Sequence, residues 1–151
     1  MPFIIQIKAA ALFLVYSVSF STSLSLHPTS QPNPPLKIAG VDVRTVPLDN
    51  NDPHSVWCFA VSSPITDLPP NNNFLATQVW PSARMTSKAI MNHCRPSWTV
   101  CEFGCGTGLP SLTAAAVTKN WDAGSNSRRS VIATDYDILG LALVKGAAKH
   151  Q

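Results

Sequence analysis

Charged residues are scarce in this chain of 151 residues, where they make up 13% of the sequence against 45% apolar residues. This balance is typical of a globular rather than a disordered protein. The formal net charge is +3, and Arg128 and Arg129 are the only adjacent pair of Lys or Arg residues. Proteins that bind nucleic acid carry clustered basic residues. We therefore expect no nucleic-acid partner.

The four cysteines lack any Cys-x-x-Cys spacing. Without that spacing, and with His93 directly beside Cys94, a tetrahedral zinc site is not expected. Cys101 and Cys105 flank a predicted buried strand and a loop, where thiols usually behave as small hydrophobic groups. We therefore expect free thiols, which favours a reducing compartment over the extracellular space.

The N-terminal stretch lacks acidic residues, the first of which is Asp42. Residues 9–20 are apolar and uncharged, too few for a stable membrane span but suited to the hydrophobic region of a signal peptide. We interpret 1–36 as a disordered targeting segment and linker that leads into the secretory route and leaves no stable membrane span in the mature chain. Two readings remain open: a plain secretory signal or uncleaved anchor, and a plastid presequence, whose cleavage site the run Ser17-Val18-Ser19-Phe20 resembles.

Hydrophobic periodicity divides the rest of the chain into two parts. Residues 36–47 and 55–61 predict a small β hairpin, which a linker rich in Pro and Asn follows up to 73. From 74 onward the pattern predicts helix, strand, helix, strand, helix, the order of a parallel α/β sheet. These elements are predicted at 81–93, 99–103, 110–119, 131–134 and 138–149, with a polar loop at 120–130. The expected division is therefore 1–36, 37–73 and 74–151.

A glycine-rich loop follows the first strand of the 74–151 part, in the run Glu102-Phe103-Gly104-Cys105-Gly106-Thr107-Gly108. Open α/β sheets bind ligands where a parallel strand turns into a helix. Gly104 and Gly106 permit backbone torsions and a close approach that a Cβ would block. Gly108 leads into a helix whose first amides favour an anion. The loop is therefore the candidate cofactor site.

The spacing of the glycines distinguishes two nucleotide cofactors. A dinucleotide loop has the pattern Gly-x-Gly-x-x-Gly, whereas here the third glycine is Gly108 and Leu109 follows it. The pattern Gly-x-Gly-x-Gly, preceded by Glu102, favours S-adenosylmethionine (SAM), whose ammonium group Glu102 can meet. Asp135 ends the next strand and can accept hydrogen bonds from both ribose hydroxyls. Asp137 is interpreted as a helix N-cap.

Three stretches carry a resemblance to a known family: Val79-Trp80-Pro81-Ser82-Ala83, the loop with its flanks at 100–112, and Ala133-Thr134-Asp135-Tyr136. Over about 74–151 they resemble methyltransferase family 16, the lysine methyltransferase-like class I SAM-dependent methyltransferases. The resemblance implies an α/β fold, the N-terminal half of a Rossmann-like class I methyltransferase sheet. It also implies SAM as cofactor, a protein substrate, and cofactor contacts from Trp80, Glu102, Gly104, Cys105, Gly106, Thr107, Gly108, Asp135 and Tyr136. For Trp80, packing in the core remains the alternative.

One departure from that family concerns the methyl acceptor. The acceptor-site signature, Asp/Glu-x-x-Tyr/Phe after the fourth strand, would lie beyond Gln151, so we expect an incomplete methyltransferase truncated after the second strand and its helix. No catalytic residue is assigned. A non-catalytic SAM-binding or interaction module and an NAD-binding Rossmann protein remain alternatives. Parallel strands with free edges and one uncovered apolar face are expected to make the chain poorly soluble.

Overall fold

The computed structural model describes residues 16–21, 36–52, 55–63, 74–95, 98–119 and 130–151. The predicted linker at 64–73, nearly all of the predicted polar loop at 120–130 and most of the predicted targeting segment lie outside these residues. The described part is a mixed α/β structure with six strands, three α-helices and a short 3-10 helix. Its strands form two sheets of three strands each.

The first sheet is antiparallel and has the order β2-β3-β4. It consists of β2 (Leu36–Ile38), β3 (Val41–Pro47) and β4 (Trp57–Val61). The predicted hairpin is present as the antiparallel pair of β3 and β4, and its first arm consists of two strands, β2 and β3, because the chain reverses direction at Ala39 and Gly40. Both residues have positive φ, 51° and 82°. Two consecutive residues with positive φ form the hairpin turn whose twist matches that of the flanking strands.

The second sheet has the order β1-β6-β5 and contains a parallel pair. β5 (Val100–Phe103) runs parallel to β6 (Ser130–Asp135), and β1 (Tyr16–Ser21) pairs with β6 in the antiparallel sense. The prediction that 1–36 is disordered is therefore wrong for Tyr16–Ser21. The prediction of free edges is also wrong for β6, which has a partner on each side. β5 is an edge strand in the described part of the chain.

Three α-helices accompany the strands: α1 (Pro81–His93), α2 (Leu109–Lys119) and α3 (Ile138–His150). The bounds of α1 are those predicted, and Pro81 stands at its first position, where the helix does not use a backbone N–H. α2 begins at Leu109, one residue before the predicted start. No helix in the described residues is both long enough and apolar enough to cross a membrane.

The largest hydrophobic cluster among the described residues joins the small antiparallel sheet to α2 and α3. The largest fully buried side chains in it are Phe59 and Val61 of β4, Leu109 of α2 and Leu143 of α3. A fully buried side chain of this size contributes roughly 1.5–3 kcal/mol relative to an exposed one. The small antiparallel sheet was predicted to lie outside the 74–151 part of the chain. Its strands β3 and β4 instead share a hydrophobic core with α2 and α3 of that part.

The two faces of β5 differ in burial. Side chains alternate along a strand, and Cys101 and Phe103 on one face are exposed, Phe103 to 81%. Val100 and Glu102 on the other face are half-buried, and Glu102 contacts α2. The prediction that β5 is buried on both faces is therefore wrong. The exposed face agrees with the expected uncovered apolar face.

Candidate cofactor-binding site

The glycine-rich loop joins β5 to α2 and has a left-handed backbone at three positions. The φ angles of Gly104, Gly106 and Gly108 are 65°, 50° and 69°. Residues that have a Cβ rarely adopt such φ angles, whereas glycine adopts them readily. The structure therefore confirms that this loop needs glycine at Gly104 and Gly106, and extends the need to Gly108.

Asp135 ties the loop to the end of β6. Its Oδ2 accepts a hydrogen bond of 2.7 Å from the backbone N–H of Gly106, and its Oδ1 accepts one of 2.9 Å from the N–H of Asp137. The side chain is only 5% exposed. A carboxylate has about four lone-pair positions, so each oxygen can accept one more hydrogen bond. Asp135 therefore shapes the loop and keeps acceptor capacity.

Glu102 lies at the N-terminus of α2. Its Oε2 accepts hydrogen bonds from the backbone N–H and the hydroxyl of Ser111, at 3.0 and 2.5 Å. Ser111 is the third residue of α2, where unpaired amides and the helix dipole favour a negative charge. The sequence predicted that an anion is favoured at this helix start. Within the described residues, the anion there is the carboxylate of Glu102 itself.

The environment of Glu102 changes its acidity. Burial raises the pKa of the Glu102 carboxyl above its usual value, and the negative charge of Asp135 acts in the same direction. The two hydrogen bonds from Ser111 act against this rise. Burial likewise raises the pKa of the Cys105 thiol, to about 12, with contributions from both carboxylates. The loop therefore lies in a partly desolvated region of negative charge.

A cavity of about 550 Å³ opens beside the loop. Its volume lies within the roughly 300–1,000 Å³ that is usual for small-molecule sites. All the predicted site residues except Gly108 line it, namely Trp80, Glu102, Gly104, Cys105, Gly106, Thr107, Asp135 and Tyr136. Residues that the sequence predicted from three separate stretches are thus gathered around one space.

Gly108 has a packing role instead. It is buried and does not line the cavity. A Cβ at this position would lie 2.4 Å from Cγ2 of Val144, a residue of α3. The absence of a side chain at Gly108 therefore lets the start of α2 approach α3 closely.

Trp80 stands immediately before α1, at its N-cap position. The indole is 46% exposed, and its Nε1 donates a hydrogen bond of 2.8 Å to the carbonyl oxygen of Leu75. Trp80 therefore lies at the wall of the cavity and not in the buried core, which was the alternative position for this side chain. The hydrogen bond to Leu75 connects this wall to the preceding 3-10 helix (Phe74–Thr77).

Sequence reasoning missed part of the cavity lining: Leu75, Ala76, Gln78, Ser82, Ala83, Thr86 and Pro110. Ser82 and Thr86 are four residues apart, the spacing of one helix face, so the side of α1 that follows Trp80 could have been predicted. Ala76 carried no such signal. Its carbonyl oxygen approaches the loop so closely that a Cβ on Gly106 would lie 3.3 Å away.

Two further predictions concern side chains near the site. Asp137 is confirmed as the N-cap of α3, since its Oδ1 accepts hydrogen bonds from the N–H groups of Leu139 and Gly140, at 2.8 and 3.1 Å. The cysteines are free, as predicted, with Cys101 exposed and the other three buried. Among the residues that the structure describes, no group of His, Cys, Asp or Glu could hold a metal ion.

Comparisons of this chain with protein-family models, with curated proteins and with solved structures find no match. Neither a relative nor a structural neighbour therefore bears on the resemblance noted in the sequence. The loop, its two carboxylates and the cavity they line are the basis for assigning a function.

Proposed function

We propose that the cavity binds SAM and that the chain is the cofactor-binding part of a class I, Rossmann-like SAM-dependent methyltransferase that modifies protein lysines. One observation carries the proposal. Glu102 and Asp135, from the carboxyl ends of two adjacent parallel strands, line one cavity together with a loop of left-handed glycines. This is the edge at which open α/β sheets bind nucleotides.

The residues present fit the groups of SAM. Glu102 offers a carboxylate to the ammonium group, and both of its described hydrogen bonds go to Oε2. Asp135 offers its remaining acceptor positions to the ribose hydroxyls. Trp80 offers an exposed indole at the cavity wall, suited to stacking against a base.

The start of α2 argues against a dinucleotide. In dinucleotide-binding folds the pyrophosphate sits at this helix N-terminus. Here Oε2 of Glu102 takes the hydrogen bonds of Ser111, and the preceding residue, Pro110, has no N–H to donate. A pyrophosphate would have to displace a carboxylate and would meet its charge. The same arrangement favours a ligand with a cationic group.

The chemistry requires little from the protein beyond placement. When bound, SAM supplies an activated methyl group to a deprotonated lysine nitrogen. Glu102 and Asp135 would hold the donor and the wall at Trp80 would exclude water, so that alignment and desolvation would lower the barrier. We assign no catalytic residue to the described part of the chain.

Binding is tested by calorimetric titration of the full chain with S-adenosylhomocysteine. Trp80→Ala is expected to weaken binding about tenfold or more, because stacking of a base on an aromatic ring contributes roughly 1–3 kcal/mol. Trp98→Ala is the matched control, since Trp98 is exposed to nearly the same extent and does not line the cavity. Equal effects of the two substitutions would contradict the proposed site.

Two further measurements separate this proposal from its alternatives. Binding of NAD without binding of S-adenosylhomocysteine would refute it in favour of a dinucleotide protein. Incubation with SAM labelled at the methyl group and a mixture of lysine-containing proteins tests transfer. Binding without transfer to any acceptor would favour the non-catalytic module.

A further inference from the structure

The charged groups around the cavity are of one sign. Glu102 and Asp135 are its only ionisable carboxylates, and no Lys, Arg or His of the described residues lines it. Arg84 of α1 is not among the residues that line the cavity. Its Nη1 donates hydrogen bonds to the carbonyl oxygens of Pro47 and Leu48 in the small sheet and the loop after it, at 2.8 and 2.7 Å. The carboxylates in the cavity are therefore not neutralised by a basic side chain of its lining.

The walls of the cavity strengthen the effect of these charges. Asp135 is almost completely buried, and Glu102 is half-buried. Attraction between charges is several times stronger in such partly desolvated places than in water. Two aromatic residues, Trp80 and Tyr136, also line the cavity, and the faces of aromatic rings attract cations.

We infer that this cavity selects its ligand by charge, so that the carboxylates of Glu102 and Asp135 favour a cationic nucleoside over a neutral or anionic one of the same shape. The inference rests on the proposed function and adds a property to that site. It means that the fold distinguishes the methyl donor from the product by one positive charge, and that it excludes nucleotides with phosphate groups.

The charge of the bound cofactor changes during methyl transfer. The nitrogen lone pair forms a bond to the methyl carbon, the carbon–sulfur bond breaks, and its electron pair stays on sulfur, which becomes a neutral thioether. The methylated amine carries the positive charge away. Once this has happened, Glu102 and Asp135 attract the remaining product less strongly. The cavity thereby promotes exchange of product for fresh donor.

Two stable ligands of similar shape test the inference. Sinefungin has an ammonium group in place of the sulfonium, and S-adenosylhomocysteine has a neutral sulfur there. Calorimetric titrations of the full chain are run at pH 8, because burial raises the pKa of the Glu102 carboxyl and a higher pH favours its charged form. An effective dielectric constant near 20 is usual for such sites. The attraction between the extra ammonium group of sinefungin and the carboxylates several ångströms away is therefore expected to make sinefungin bind on the order of tenfold more tightly than S-adenosylhomocysteine.

A pair of substitutions assigns the effect to the carboxylates. Glu102→Gln keeps an oxygen that can accept from Ser111 and removes the charge, so the ratio of the two affinities is expected to fall at least threefold. Asp49→Asn removes the same charge at an exposed position outside the cavity and keeps an oxygen for the N–H of Asn51. In this control the ratio is expected to stay as in the unaltered chain.

The outcomes separate the inference from the proposed function. Tighter binding of sinefungin that depends on Glu102 supports charge selection. Equal binding of the two ligands, or binding of ADP as tight as that of S-adenosylhomocysteine, overturns charge selection while the SAM site stands. If neither sinefungin nor S-adenosylhomocysteine binds, the proposed function fails and charge selection fails with it.

Discussion

Replacement of Gly108 by alanine is expected to destabilise the fold by about 2–5 kcal/mol. The left-handed backbone, with φ of 69°, costs a residue with a Cβ roughly 1–2 kcal/mol. The new Cβ would lie 2.4 Å from Cγ2 and 3.0 Å from Cγ1 of Val144, a fully buried residue. Such overpacking typically costs about 1–3 kcal/mol more.

Gly104 provides the control for the backbone contribution. Its φ is 65°, almost the same as that of Gly108, but nothing lies within 4 Å of an added Cβ. Gly104→Ala should therefore cost only the conformational part, roughly 1–2 kcal/mol. The loss of conformational freedom in the unfolded chain is common to both substitutions and cancels in the comparison. Urea unfolding followed by circular dichroism measures the difference.

A second substitution isolates the contact with α3. Val144→Ala removes both methyl groups that crowd position 108, so the double variant with Gly108→Ala should lose less stability than the sum of the single losses. The coupling expected for such contacting residues is about 0.5–3 kcal/mol. Strict additivity, or a loss in Gly104→Ala as large as in Gly108→Ala, would refute the packing role of Gly108.

Three further predictions concern single side chains. Ser87→Ala should raise the free energy of unfolding, measured in urea titrations, by about 1 kcal/mol. The Ser87 hydroxyl is fully buried with no hydrogen-bond partner in the described structure, and a group of this kind costs roughly 1–3 kcal/mol. A loss of stability would contradict this reasoning. Asp137→Ala should lower the free energy of unfolding by roughly 0.5–2 kcal/mol through loss of the α3 cap, whereas Asp137→Asn should change it little. At pH 8 an alkylating reagent should modify the exposed Cys101 in the folded chain and leave Cys58 and Cys105 unmodified. The thiolate is the reactive form, and burial raises the pKa of the Cys58 and Cys105 thiols to about 12. Mass spectrometry of the digested protein measures this, and equal labelling of the three would contradict it.

The same two thiols give stability a dependence on pH. In the folded chain the pKa of Cys58 and Cys105 is about 12, against an ordinary value of 9.0. Between these values the unfolded chain has lost protons that the folded chain retains, so the free energy of unfolding should fall as pH rises through this range. Below pH 9 both states hold these protons, and the two thiols cause no such fall.

The sequence predicts well those features that local chemistry determines. The start of α1 follows from Pro81, the cap of α3 from Asp137, and the left-handed loop from the glycine spacing. Each of these depends on residues only a few positions apart. The gathering of residues from separate stretches around one cavity also follows from the sequence, because the carboxyl ends of neighbouring parallel strands lie at one edge of a sheet.

Features that depend on distant partners could not be predicted. The exposure of Phe103 depends on which elements cover β5. The pattern of apolar and polar residues along β5 does not show which elements these are. Gly108 belongs to the same glycine pattern as Gly106, yet its neighbour is Val144 of another helix. Likewise, the hydrogen bonds between Glu102 and Ser111 connect a strand to the following helix, and nothing in the spacing distinguishes them from contacts with a ligand.

The pairing of β1 with β6 sets a condition on any processing of the N-terminus. The six residues of β1 include the run Ser17–Phe20 that resembles a presequence cleavage site. A peptidase requires an extended substrate whose backbone is available, and in β1 that backbone is hydrogen-bonded to β6. Cleavage there would thus require β1 to be detached from β6. A chain processed at that point would fold with the edge of β6 open, and an open edge is where a strand of another chain can add.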